Sequence, residues 1–246
     1  MDKVALIIGG TGGIGHSTAI LLLENGIKVY ATYYENKEKA DKIKQSKNFE
    51  LIQCDIRKKE DVEGIINKIV SNESKIDIVI NTATSRLKLK PFEILTYEEF
   101  NEDMEVILIG AINLFKKIIP FMKKNRSGTI INLLTAIIDN PPARMSSYVT
   151  AKSGLLGLTK SLSVELKPFN INVYGISPSF VDTDLLKVFP EKLLEFEREK
   201  QPDKMFIQPE DIAALNLDII NKPEKYSYGT NIIVRTRQDF KDLIKK

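Results

Sequence analysis

Val4-Ala5-Leu6-Ile7-Ile8-Gly9-Gly10-Thr11-Gly12-Gly13-Ile14-Gly15 decides the fold. Five apolar residues in a row make a strand covered on both faces, as in a parallel sheet with helices above and below. The glycines that end it allow tight backbone approach and unusual dihedrals. Residues 17–25 then read as an amphipathic helix stopped by Asn25-Gly26, and residues 27–32 as a second strand. In such a strand–loop–helix–strand unit the helix start offers free N–H groups to a pyrophosphate. Two glycine registers fit. Gly10, Gly12 and Gly15 match G-x-G-x-x-G, whereas Gly9, Gly13 and Gly15 match G-x-x-x-G-x-G.

The alternation continues. Strands are expected at 50–54, 77–80, 129–134, 171–176 and 231–234. Helices are expected at 37–45, 59–71 and 97–124, the last kinked near its end by Pro120, then around Tyr148 and from Pro209 onward. Residues 177–208 read as a polar insert. Strands alternating with helices over the whole chain give an α/β protein. The expected architecture is a single domain, 1–246, built on a doubly wound parallel sheet of about seven strands with helices on both faces. No linker, repeat or low-complexity segment divides it.

Composition closes off several functions. The 36 Lys and Arg are interleaved with 33 Asp and Glu, as in Glu35-Asn36-Lys37-Glu38-Lys39, which is a solvated surface and not a nucleic-acid stripe. One cysteine, Cys54, rules out an internal disulfide and a cysteine-clustered metal site. One histidine, His16, rules out a multi-histidine metal site and reads as a surface or packing residue. No apolar stretch reaches membrane-spanning length, and no signal peptide is recognised, so the expected location is the cytoplasm.

The chemistry concentrates in Tyr148-Val149-Thr150-Ala151-Lys152. On a helix the phenol and the ammonium leave one face a turn apart. A free tyrosine titrates near about 10, too high for acid–base work at neutral pH, and a neighbouring cation lowers that value. Lowering it by about three units takes roughly 4 kcal/mol, which a lysine and a cationic cofactor together can supply. The stretch is therefore a candidate general acid/base for alcohol and ketone chemistry. A plain helix with an outward Tyr and Lys satisfies the same pattern.

Order and spacing join these pieces. The chain resembles the short-chain dehydrogenase/reductase family from Val4 to about Val234, and its Tyr148 to Glu165 region looks most like that family's 3-oxoacyl-carrier-protein reductases. Gly9-x-x-x-Gly13-x-Gly15, Asp55, Asn81-Thr82-Ala83, Tyr148-x-x-x-Lys152 and Pro178 stand at that family's motif positions. The resemblance implies a Rossmann fold and settles the glycines in the second register. It also implies hydride transfer between a nicotinamide and a carbonyl or secondary alcohol. Tyr148 would move the proton, Lys152 would hold the nicotinamide ribose and depress the tyrosine pKa, and Thr135 would replace the family's serine in orienting the substrate oxygen. Cofactor contacts are implied at Gly9, Thr11, Gly13, Ile14, Gly15, Tyr33, Tyr34, Asp55, Ile56, Asn81, Ala83 and Pro178, and again at Tyr148 and Lys152. No metal is implied.

The departures from the family are specific. Its asparagine in the long helix is Ile107 here, which cannot hydrogen-bond, and Asn113 is too far along to replace it. Asn-Asn-Ala-Gly has become Asn81-Thr82-Ala83-Thr84, and Pro-Gly has become Pro178-Ser179. They favour a divergent enzyme, with a non-catalytic dinucleotide-binding protein, a sensor or partner subunit, as the alternative. A lyase or epimerase that retains its cofactor is a third reading. The acid that selects NAD at the end of the second strand is missing, since Tyr33 and Tyr34 stand there with Glu35 beyond. Lys37 and Lys39 suit a 2′-phosphate, so NADP(H) is expected, with NAD possible. The substrate, a small-molecule or acyl-carrier-bound carbonyl compound, should be walled by residues 136–147 and 177–208. Arg86, Lys88 and Lys90 form a basic loop nearby. The family also implies a homotetramer or homodimer, paired through the long helix and the Tyr148 helix, with Ile107 and Ile109 packed in the interface.

Overall fold

The structure is a computed structural model that describes residues 3–35, 40 and 46–245. Of the helix expected at 37–45 only Ala40 is described; Lys37 and Lys39 lie outside the described residues. Seven strands form one sheet in the order β3-β2-β1-β4-β5-β6-β7, and every pairing is parallel. They are β1 Val4–Ile8, β2 Lys28–Tyr33, β3 Phe49–Gln53, β4 Ile78–Asn81, β5 Gly128–Leu133, β6 Ile171–Pro178 and β7 Asn231–Val234. The described helices are α1 Gly13–Glu24, α2 Lys59–Glu73, α3 Tyr97–Asp103, α4 Gly110–Asn125, α5 Ser146–Leu166, α6 Glu191–Glu199, α7 Pro209–Asn221 and α8 Arg237–Lys245.

The apolar run of β1 explains itself in the sheet. Val4, Leu6 and Ile8 point into one core with α2, α4 and α5, while Ala5 and Ile7 point into the other with α1 and α7. All five are at most 4% exposed, so every methyl contributes to one core or the other. The chain runs from β1 outward to β2 and β3, then returns to place β4 on the other side of β1. The crevice beyond the carboxyl ends of β1 and β4 is the switch point where such sheets bind ligands.

The long helix expected at 97–124 is broken by more than Pro120. Between α3 and α4 lies a π-helical segment, Met104–Ile109, and Pro120 sits inside α4 without ending it. α5 packs on the π segment so closely that a Cβ at Gly154 would lie 2.8 Å from Leu108 Cδ2. Ile107 is fully buried in the chain's own core, so it is not available to an interface as expected; Ile109 is 43% exposed and is. The polar insert 177–208 holds a 3-10 turn, Asp184–Val188, and α6. Helix α8 was not expected. It lays Phe240, Leu243 and Ile244 against the second core. No described helix is long and apolar enough to cross a membrane.

Candidate active site

The glycine loop is shaped by contact. Gly9 adopts φ +87°, a left-handed conformation that suits glycine, and a Cβ at Gly15 would sit 2.2 Å from Gly9 O. A Cβ at Gly13 would meet Thr183 Cγ2 at 2.7 Å, whereas at Gly12 the nearest atom is 3.3 Å away. Gly9, Gly13 and Gly15, the second register, are thus all crowded; so is Gly10, where a Cβ would meet Ala31 Cβ at 2.5 Å, and Gly12 is the least crowded of the loop's five glycines. The loop is held from β2, where Thr32 O accepts from Gly10 N at 2.6 Å and Thr32 Oγ1 accepts from Gly9 N at 3.2 Å. Helix α1 starts with Gly12 as its cap and has no acid in its first turn, so no side chain takes its leading N–H groups.

A cavity of about 690 Å³ opens above this loop. Thr11, Ile14 and Gly12, Gly13 and Gly15 line one end, and Thr135, Tyr148, Lys152 and Pro178 line the other. Nine residues spread from position 11 to position 178 thus meet in one space. Lys152 is 2% exposed, and its Nζ donates to Leu133 O at 2.6 Å, at the end of β5. Burial pushes its pKa down to about 7. Tyr148, one turn earlier, is 7% exposed, and Lys152 Nζ lies 5.8 Å from its ring centroid. Burial pushes the phenol up to about 12. Hydrogen bonds with the Thr135 and Thr84 side chains pull it down, and the charge of Asp103 pushes it further up. Lys152 does not figure among the groups that shift the phenol; among the chain's own groups, desolvation wins.

The other candidates sit apart from the cavity wall. Asn81 Nδ2 donates to Asn132 Oδ1 at 3.2 Å, and Asn132 Nδ2 donates to Thr159 Oγ1 at 3.0 Å, a buried polar path from β4 through β5 to α5. Asn81 Oδ1 also accepts from Ala83 N, which fixes the chain as it leaves β4. The Asp55 carboxylate is held by Arg57, through Nε at 2.8 Å and Nη2 at 2.7 Å, and these bonds keep it below the usual carboxylate range. Arg57 also donates to Tyr34 Oη at 2.6 Å and stacks 4.9 Å from that ring. Ile56 is buried beneath Gly110, and Tyr33 is half-buried at the end of β2. Asn113 donates to the carbonyls of Ile56 and Arg57, so it braces this segment and not the Tyr148 site.

Two expectations about the walls change. No residue of 136–147 lines the cavity, because the chain from Asp139 to Arg144 runs out into solvent. Residues 84–87 take its place opposite Pro178, Val181 and the Asp184–Val188 turn, with leucines 87, 134, 185 and 186 making the wall mostly apolar. Of the basic loop only Arg86 reaches the cavity. Lys88 is tied to Glu102 and Asp103, and Lys90 to Glu99. Thr84, Ser85 and Asp103 were not foreseen as site residues. The signal for Asp103 was its register: it falls three positions after Phe100 and four before Ile107, on the apolar stripe of a helix.

Comparison with known proteins agrees with this geometry. A sequence model described as short chain dehydrogenase matches residues 3–193. The 3-oxoacyl-[acyl-carrier-protein] reductase of Staphylococcus epidermidis is 31% identical over 245 residues, covering 95% of this chain and 98% of that protein. The NAD-dependent glycerol dehydrogenase of Listeria innocua is 31% identical over 236 residues, covering 95% and 92%. The solved structure of NADP-bound ElxO superposes with a TM-score of 0.86 at 24% identity, covering 96% of this chain and 98% of the other. The fold, the glycine loop at its switch point and the matched length together assign the chain to the short chain dehydrogenases, a family of oxidoreductases.

Proposed function

We propose that this protein is an NADP(H)-dependent reductase that interconverts a carbonyl compound and a secondary alcohol, with Tyr148 as general acid/base. One observation carries the reading. The Tyr148 phenol, with the Thr135 and Thr84 side chains beside it and one turn from a buried Lys152, faces a cavity whose far end is an uncapped, glycine-lined helix start. That start suits a pyrophosphate, which binds at free N–H groups. The bound dinucleotide supplies the hydride. The loop Gly9 to Gly15 would grip its pyrophosphate, and Lys152, fixed by Leu133 O, would hold its nicotinamide ribose. Asn81 and Ala83 set the β4 exit, Ile56 supports the long helix beneath the adenosine side, and Pro178 walls the nicotinamide side.

Thr135 orients the substrate oxygen, and Tyr148 gives it a proton. A protonated phenol is the form that gives a proton in the reducing direction. The 2′-phosphate of NADP is supported by the missing acid at Tyr33 and Tyr34 and by the Arg57 guanidinium brought beneath Tyr34. NADP bound to ElxO supports the same choice, while the NAD-dependent relative of Listeria keeps NAD as the alternative. The reductases among the relatives and the leucine-rich wall support an acyl-chain substrate, including one carried on a carrier protein. Exposed Ile109 and Val164, on the π segment and α5, support pairing of copies into a dimer or tetramer.

The test is a carbonyl and alcohol panel followed by the absorbance of the reduced nicotinamide. Tyr148→Phe is expected to lower kcat by roughly 100-fold or more while leaving cofactor affinity within about twofold. Full turnover in that variant would end this mechanism. Cofactor binding without turnover of any substrate by the unmodified protein would support a sensor or partner subunit instead.

A further inference from the structure

Asp103 is the last residue of α3 and is wholly buried, beside a cavity whose chemistry has so far not needed it. A buried carboxylate is costly unless donors meet its oxygens. Three donors from two separate stretches of chain meet this one. Oδ1 accepts from Ser85 Oγ and from Lys88 Nζ, the latter at 3.2 Å, and Oδ2 accepts from Ser147 Oγ. Ser85 follows Thr84 on the cavity wall, and Ser147 precedes Tyr148. The Thr84 side chain faces the Tyr148 phenol and draws its pKa down. The two serines thus stand one residue away from the two groups whose meeting shapes the reacting end of the cavity.

We propose that Asp103 is a positioning residue for Tyr148, its carboxylate clamping the exit of β4 to the first turn of α5 and setting a fixed negative charge against the phenol. This rests on the reading of Tyr148 as the proton donor. Charge-assisted hydrogen bonds are about twice as strong as neutral ones, which suits a clamp between segments that share no backbone pairing. The charges around the carboxylate are few. Lys88 faces it from the segment after β4, with Glu102 on the far side of that ammonium at 2.9 Å, and Tyr148 faces it from α5. Thr84, Ser85, Thr135 and Ser147 are neutral. Burial works against the Lys88 charge, yet its bonds to Glu102 and the Asp103 carboxylate hold it above the ordinary lysine value. Asp103 in turn adds to what burial does to the phenol, and favours the protonated, donating form.

The experiment reads the phenol directly. Protein labelled with 13Cζ-tyrosine is titrated, and Tyr148→Phe identifies the resonance, so no substrate is needed. Asp103→Asn is expected to bring the Tyr148 ionisation to lower pH. Lys88→Gln, which removes the counter-charge, is expected to leave it at or above the wild-type value. A clamp that only loosened would move both variants the same way. Equal positions in wild type and Asp103→Asn, or an earlier ionisation in Lys88→Gln, overturn the proposal. In turnover, Asp103→Asn is expected to lose roughly tenfold in kcat with the cofactor KM unchanged. Should it not fold, Ser147→Ala removes only the tie to α5 and is expected to cut kcat about threefold; an unchanged kcat counts against the clamp. Retained turnover in Tyr148→Phe would instead defeat the mechanism, and the titration would still decide what Asp103 does.

Discussion

Lys152 carries its charge where water does not reach it. Its ammonium donates to Leu133 O, and burial pushes its pKa from 10.5 down to about 7. The sign of the stability effect follows from that depression. Below about pH 7 both folded and unfolded chains hold the proton, and the full desolvation penalty weighs on the folded one. Between about 7 and 10.5 the unfolded chain binds more protons, so stability from this group rises with pH. Replacing a buried charge by an apolar side chain of similar length commonly stabilises a protein. Lys152→Met is therefore expected to gain about 1–3 kcal/mol at pH 6, net of the lost bond to Leu133, with the gain shrinking by pH 9. Urea denaturation of cofactor-free protein at both pH values measures it. A loss of stability at pH 6 would mean that Lys152 holds β5 and α5 together more than it strains them.

The π segment Met104–Ile109 is the element that sets the spacing between α3 and α5. Asp103 ends the helix before it, and Ile107 anchors it in the core. Ile107→Ala is expected to cost about 2–5 kcal/mol, because the close seats of Gly110 under Ile56 and Gly154 under Leu108 prevent the site from collapsing into the space. Thermal unfolding checks this, and a loss under about 1 kcal/mol would show that the segment repacks. The strands were legible because each is an apolar run of β length, and the Tyr148 helix because its motif stands in order with the glycines and Pro178. The π turn was not legible. Apolar residues at 104, 107, 108 and 111 suit an α-helix equally, and tertiary contacts decide where the extra residue goes. Asp103 was hidden in an acidic stretch, Glu98 to Asp103, that reads as a solvated face. The cavity wall was misplaced because 136–147 adjoins Tyr148 in sequence, although in space residues 84–87 adjoin it. Helix α8 has only three apolar residues against the core, too few to stand out among its charges.

Across the whole molecule the cavity is a seam. The glycine loop belongs to the layer of α1 and α7, whereas Tyr148 and Lys152 belong to the layer of α4 and α5, with the sheet between them. A dinucleotide in the crevice would touch both layers, so its binding would stabilise the fold as one unit. Linkage gives the size: at 100 times Kd a ligand adds about 2.7 kcal/mol. For a chain of this length each kcal/mol moves Tm by roughly 2–4 °C. The proposed NADP(H) preference then becomes measurable without any substrate. NADPH at saturating concentration is expected to raise Tm by roughly 5–10 °C, and NADH at the same concentration by less. The difference should come from the 2′-phosphate near Arg57 and Tyr34, the cation and ring that stand at the carboxyl ends of β2 and β3. Arg57→Gln is expected to shrink it. Gly15→Ala, which drives a methyl to within 2.2 Å of Gly9 O, should abolish the shift for both cofactors. A larger shift with NADH would move the assignment to NAD. No shift with either in the unmodified protein would remove the dinucleotide from the crevice and the reductase reading with it.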